Sequence, residues 1–199
     1  MATAPKGSDP RVKRTRRLIQ NAFLELLQEK GFTAISIQDI TERATVNRGT
    51  FYAHFADKNA LIEAIIREQF QQVVASILPP TACWSRRSLG LLIQAVEEFF
   101  QEMHSHCGPP GGLDPLLERA VQEELSQLLV TWLKQAPTAG KRWPVPVETL
   151  ALVVSWAIFG AGVQWSQGAK RTSAEQMADD ALLVLTEGVA RLTPDGLPG

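Results

Sequence analysis

The stretch SIQDITERATVNRGTFYAHFADK, Ser36 to Lys58, constrains the fold more than any other part of the chain. Ser36 is followed three residues later by Asp39, the spacing at which a hydroxyl and a carboxylate reciprocally close a helix N-terminus. Ile37, Ile40 and Ala44 put an apolar stripe on the short helix that follows. Asn47 is a good cap for a second short helix, Arg48 to about Phe55, in which Phe51 and Phe55 share a face and are expected to plug a core. Only a tight turn separates the two. Helices this short are not stable in water by themselves, so they must lean on neighbouring helices.

Those neighbours are legible on both sides. Asp9-Pro10 reads as a cap and first helical residue, opening a helix to about Lys30 with Leu18, Ile19, Ala22, Phe23, Leu26 and Leu27 on one face and Gly31 as its stop. Asp57 caps a long fourth helix through Leu61, Ile62, Ile65, Ile66, Phe70, Val73, Val74 and Ile77, ended by Pro79-Pro80. Four more helices are expected: about Ser85 to His106, Asp114 to Gln135, Val147 to Gln167 and Ser173 to Leu192. No strand-like alternation of any length occurs. The expectation is an all-α chain: an arm over residues 1–9, a three-helix helix-turn-helix domain over 10–56, and a larger helical domain over 57–199.

The chain has 199 residues, 45% hydrophobic and 21% charged, which are globular values. Its net charge of −1 conceals an asymmetry. Residues 1–58 hold 10 Lys/Arg against 6 Asp/Glu, whereas the remainder holds 10 against 15, so a polyanion is expected to meet one end of the molecule. Cys83 and Cys107 form no disulfide framework or metal set, which points to a reducing, cytoplasmic setting. The opening residues, MATAPKGSDPRVKR, lack the apolar run of a secretory signal. The longest nearly apolar run, Leu150 to Val163, is 14 residues and reads as a buried helix, not a bilayer span. No membrane partner is expected.

In a helix-turn-helix, the second helix presents its N-terminal residues to base edges. Here these are Asn47, Arg48, Gly49 and Thr50. A guanidinium at Arg48 suits guanine O6 and N7, a bidentate contact worth about 1–3 kcal/mol of discrimination. Gly49 lets backbone approach the groove, and Thr50 suits a thymine methyl or a phosphate. Tyr52 and His54 have polar tips placed for phosphate oxygens, although taken singly Tyr52 also reads as an ordinary half-buried tyrosine and His54 as a capping side chain; Lys58 suits a phosphate held by the free N–H groups of the next helix start. Arg11, Lys13, Arg14, Arg16 and Arg17 read either as a solvated helix face or, the favoured reading, as an arm that orders on binding and adds non-specific phosphate attraction.

From about Thr15 to Phe70 the chain resembles the N-terminal domain of the tetracycline-repressor (TetR/AcrR) family. The resemblance is carried by Ile19 to Phe23, Gly31-Phe32, Thr33 through Ile40, and above all Gly49-Thr50-Phe51-Tyr52-Ala53-His54-Phe55 with Asp57-Lys58. It implies an all-α dimer with a three-helix DNA-binding head and a ligand-sensing body, and DNA contacts at Ser36, Gln38, Arg48, Gly49, Thr50, Tyr52, His54 and Lys58. One departure stands out. The family usually has glycine in the turn between its two short helices, where this chain has Thr45; a β-branched residue resists positive φ, so an altered or strained turn is expected.

The resemblance also implies dimerisation through the last two helices. Small residues Ala157, Gly160, Ala161 and Gly162, with Met177, Ala181, Val184, Leu185, Gly188 and Leu192, would allow a close four-helix interface. Phe99, Phe100, Met103, Trp132, Trp156 and Phe159 are candidate effector contacts, each also readable as ordinary core packing. His104, His106 and Cys107 look like metal ligands, but residues two apart on a helix point to different faces, so no metal is expected. No cofactor loop, metal-helix motif or nucleophile elbow is present, and no enzymatic activity is expected. The expected function is a dimeric bacterial transcription regulator, usually a repressor in this family, released from a pseudo-palindromic double-stranded DNA operator by a small-molecule effector. Two alternatives are a helical small-molecule-binding dimer without specific DNA binding and a helical enzyme built on the body.

Overall fold

The computed structural model describes residues 9–107, 114–136, 143–167 and 173–188, and among them every regular element is helical. They form α1 (Pro10–Ala34), α2 (Ile37–Arg43), α3 (Arg48–His54), α4 (Lys58–Ile77), α5 (Arg86–Cys107), α6 (Asp114–Gln135), α7 (Val147–Gln167) and α8 (Ala174–Glu187). The described residues divide into two compact units, one holding residues 9–66 and 114–117, the other residues 67–107, 118–136, 143–167 and 173–188. The division falls inside α4.

In the first unit the caps read from the sequence are in place. Asp9 Oδ1 accepts from Arg11 N at 2.9 Å, and Asp57 Oδ1 accepts from Ala60 N at 2.7 Å. Gly31 breaks α1 with φ 71 and ψ 162, and one more turn follows it. Ile19, Ala22, Phe23 and Leu26 are buried with Ile40, Phe51, Phe55, Leu61, Ile62 and Ile65. Leu18, expected on that apolar face, is instead 45% exposed, because it sits one helical step off the buried stripe. Arg43 ties α2 to α1 with a fork of two 2.8 Å bonds to Glu29 and a 3.2 Å bond to Glu25.

In the second unit α5 is packed by both α7 and α8, and α7 by α8. Gly162 permits the α5–α7 approach: a Cβ there would lie 2.7 Å from Val96 Cγ1. It therefore serves packing within the chain and not the expected dimer face. α8 stops at Glu187 with Gly188 at φ 76, so the helix is shorter than expected; Leu192 lies outside the described residues. One stripe of α7 and α8 is uncovered. Leu152, Val153 and Trp156 on α7 and Leu183 and Val184 on α8 are 40–61% exposed, and Ala157 and Gly160 lie on the same α7 stripe. By composition the window Val147–Ser166, 20 residues with mean hydropathy 1.5, is long enough to cross a bilayer, contrary to the shorter count above. Here it packs against α5 and α8.

Candidate nucleic-acid interface

The site is built around the α2–α3 turn. Ser36 caps α2: its Oγ accepts from Asp39 N at 3.1 Å, while Asp39 Oδ2 accepts from Ser36 N at 2.7 Å. Lys30, 2.8 Å from Asp39, together with the Ser36 donors, holds the Asp39 carboxyl well below the usual carboxylate range. The Ser36 hydroxyl is thus engaged in a cap while remaining at the surface.

At the other end of α2 the chain reverses through a six-residue closure. Val46 N donates to Thr41 O at 3.0 Å and Thr45 N to Glu42 O at 3.2 Å, the paired bonds that end a helix on a left-handed residue. That residue is Thr45, with φ 55. The turn keeps its glycine-type geometry although the side chain is β-branched, so the backbone carries strain of about 1–2 kcal/mol. The expected strained turn is present.

Asn47 then starts α3. Its Oδ1 accepts from Thr50 N at 2.7 Å and from the Thr50 hydroxyl at 3.0 Å. A Cβ on Gly49 would approach that same Oδ1 to 3.3 Å, so the absent side chain leaves the cap undisturbed. Phe51 and Phe55 are buried at 0% and 4% exposure, with rings 6.0 Å apart. Anchoring these two residues turns Arg48, Gly49, Tyr52 and Ala53 outward. Tyr52 is 44% exposed and its hydroxyl accepts from Arg48 Nη2 at 3.2 Å, which stands the guanidinium up on the helix surface. Its Cζ is 5.6 Å from the Tyr52 ring centre. Gln38 is exposed on α2, with its amide donating to Glu42 at 2.9 Å, and His54 is half-buried beside Phe55.

Lys58 stands apart from the expectation that it meets a phosphate. Its ammonium donates to Phe32 O and Ile35 O, both at 2.8 Å, and lies 4.4 Å from the centre of the Phe32 ring. The two carbonyls belong to the final turn of α1 beyond Gly31, where Phe32 O also accepts from Ile35 N at 3.3 Å, so the lysine fastens that helix end from 23 to 26 residues away. Partial burial pushes its pKa down. Composition offered no hint of this role. The sequence reading also gave no sign of Arg43 forking onto Glu29, or of Arg16 placing its guanidinium 4.6 Å from the centre of the Phe55 ring.

The body's candidate effector residues separate. Phe99, Phe100 and Phe159 are buried and joined edge to face with Phe70 at one end and Trp156 at the other, ring centres 5.3–5.9 Å apart. This is core packing. Trp156 is 46% exposed on the α7 stripe, and Met103 is half-buried. Trp132 lies on the wall of a cavity of about 390 Å³ between the second half of α4, the Pro79-Pro80 turn and α6. The side chains of His104, His106 and Cys107 lie outside the described residues, and among the described residues no three His, Cys, Asp or Glu side chains gather.

Comparison with known proteins places this geometry. Residues 19–65 match the family model of bacterial regulatory proteins, tetR family. The HTH-type transcriptional regulator YxbF of Bacillus subtilis is 40% identical over 70 residues, which is 35% of this chain and 18% of that protein's length. Likeness over the whole fold extends much further. Salmonella enterica GusR aligns over 93% of this chain and 99% of its own with 23% identity and a TM-score of 0.57. Bacillus subtilis FadR, solved with stearoyl-CoA, aligns over 87% of this chain and 98% of its own with 15% identity and a TM-score of 0.52. The helix-turn-helix head thus matches the tetR family of bacterial regulatory proteins over residues 19–65, and the all-helical fold as a whole is similar to those of GusR and FadR.

Proposed function

We propose that the chain is a cytoplasmic, DNA-binding transcriptional regulator that works as a homodimer and releases its operator when a small molecule enters the helical body. The observation that carries this reading is the outward face of α3, where Arg48 and Tyr52 stand at the surface while Phe51 and Phe55 anchor the helix beneath them. Arg48 and Thr50 read base edges in the major groove; Tyr52 and His54 take phosphates on the flank. Asn47, Ser36 and Gly49 shape the approach, with Ser36 and Gln38 presented at the start of α2. Lys58 acts from behind, by holding the Phe32–Ile35 turn.

The uncovered stripe of Leu152, Val153, Trp156, Leu183 and Val184 supports a second copy as the partner, because large apolar side chains clustered on two adjacent helices are covered in a stable oligomer. A twofold pair sets two α3 helices against half-sites about 34–36 Å apart. In FadR the bound molecule is stearoyl-CoA; the apolar cavity beside α4 is the corresponding kind of space in this chain. Repression is the usual mode in the family that the head resembles.

Fluorescence anisotropy of the full chain against DNA flanking its own gene, at several salt concentrations, tests the reading. Arg48→Ala should weaken specific binding about 10- to 100-fold, in line with a bidentate base contact of about 1–3 kcal/mol. The double variant Arg48→Ala, Tyr52→Ala should lose discrimination from random DNA while staying folded. Full operator affinity in that double variant would remove α3 from the interface.

A further inference from the structure

We propose that the cavity beside the second half of α4 takes an apolar molecule bearing a protonated amine, with Glu124 as its counter-ion. The proposal rests on the effector-responsive reading above and adds the ligand's chemical class. The walls are mainly apolar, with Phe70, Val74, Leu78, Leu128 and Trp132 among them. Gln71 and Glu124 are the polar side chains of the wall, and Glu124 is the acidic one. They sit together: Gln71 Nε2 donates to Glu124 Oε2 at 2.8 Å, and Arg67 Nη1 donates to Glu124 Oε1 at 3.2 Å.

Charge and shape select the occupant. A carboxylate accepts several donors, so Glu124 retains capacity beyond the two it meets. With its side chain only 17% exposed, water screens it less than a surface carboxylate. Aromatic wall residues at Phe70 and Trp132 attract a cation further, since π faces are negative. An anionic headgroup would meet like charge at the same place. A neutral hydroxyl would gain a hydrogen bond to the carboxylate but no ion pair.

The same contacts give the ligand a mechanical effect. Arg67 is shared between Glu123 and Glu124, and together with Gln71 it ties α4 to α6. An ammonium that draws Glu124 to itself weakens the tie at Arg67 and Gln71, while Arg67 keeps Glu123. A cavity of about 390 Å³ is near the lower end of the 300–1,000 Å³ typical of small-molecule sites, which fits a bicyclic apolar group.

Isothermal titration calorimetry of the full chain with three probes sharing one naphthyl group tests the proposal: 1-naphthylmethylammonium, 1-naphthalenemethanol and 1-naphthoate. The ammonium should bind at least tenfold more tightly than the other two. Glu124→Gln should abolish that preference and leave the alcohol within about twofold. Val74→Trp, which fills the cavity, should abolish binding of all three with helical circular dichroism retained. Equal affinities, a preference for naphthoate, no binding of any probe, or ammonium binding that survives Val74→Trp would each overturn the site. If Glu124→Gln does not fold, the wild-type ranking and Val74→Trp decide. Operator binding by the ligand-free chain is scored separately. Its failure would sink the regulator reading and leave the ranking of probes intact, whereas its success with no ammonium preference would sink only this site.

Discussion

Thr45 and Lys58 are the two residues at which chemistry and position disagree most. Thr45 occupies a left-handed helix-ending position with φ 55, where glycine or asparagine costs less. Thr45→Asn keeps a side chain that tolerates this region, without the extra chain freedom that glycine brings to the unfolded state. It should stabilise the protein by about 1 kcal/mol, seen as a rise in Tm of about 2–4 °C for a chain of this size. An unchanged or lower Tm would mean the turn carries no strain. Lys58 invites the opposite experiment. Lys58→Met removes two 2.8 Å bonds to buried-side carbonyls and should cost about 1–3 kcal/mol in thermal unfolding. If the ammonium is held internally, the dependence of operator affinity on salt should keep its slope; a slope smaller by about one would restore Lys58 as a phosphate contact.

At the scale of the helix, α5 contains a buried acid with no visible partner. Glu97 is 2% exposed, neither carboxylate oxygen has a hydrogen bond among the described residues, and burial pushes its pKa up to about 7. The folded state therefore holds a proton that the unfolded state releases at lower pH. Stability should fall as pH rises from about 4.5 to about 7, and the loss is complete above that. Glu97→Gln should raise Tm at pH 8 and have much less effect at pH 5; equal gains at both would assign the benefit to packing alone. Helix positions, caps and the α2–α3 turn could be read in the sequence because they depend on residues three to five apart: Ser36 with Asp39, Asn47 with Thr50, Thr41 with Val46. The uses of Lys58, Arg43 and Trp156 could not, because each depends on partners or exposure set by distant chain segments. For the same reason Phe99, Phe100 and Phe159 read equally well as pocket or core. Periodicity marks a side chain as inward-facing but does not say whether a neighbour or an empty space lies there.

For the whole molecule, the uncovered α7–α8 stripe and the α3 face make linked demands. Val153 is 61% exposed, and an acidic side chain there is harmless to an isolated subunit. Val153→Glu should leave the fold intact and shift the particle seen by size-exclusion light scattering from dimer to monomer. Operator affinity should fall with it, since each half then binds alone; a variant that stays dimeric would move the interface elsewhere. α4 is the element common to both compact units, running from Lys58 to Ile77 without a glycine or proline. At 1.5 Å per residue its 20 residues span about 30 Å. Its first side chain is clamped to the carbonyls of Phe32 and Ile35. Within the first unit, any turn of the opening residues of α4 is therefore passed to the tail of α1 through these two bonds.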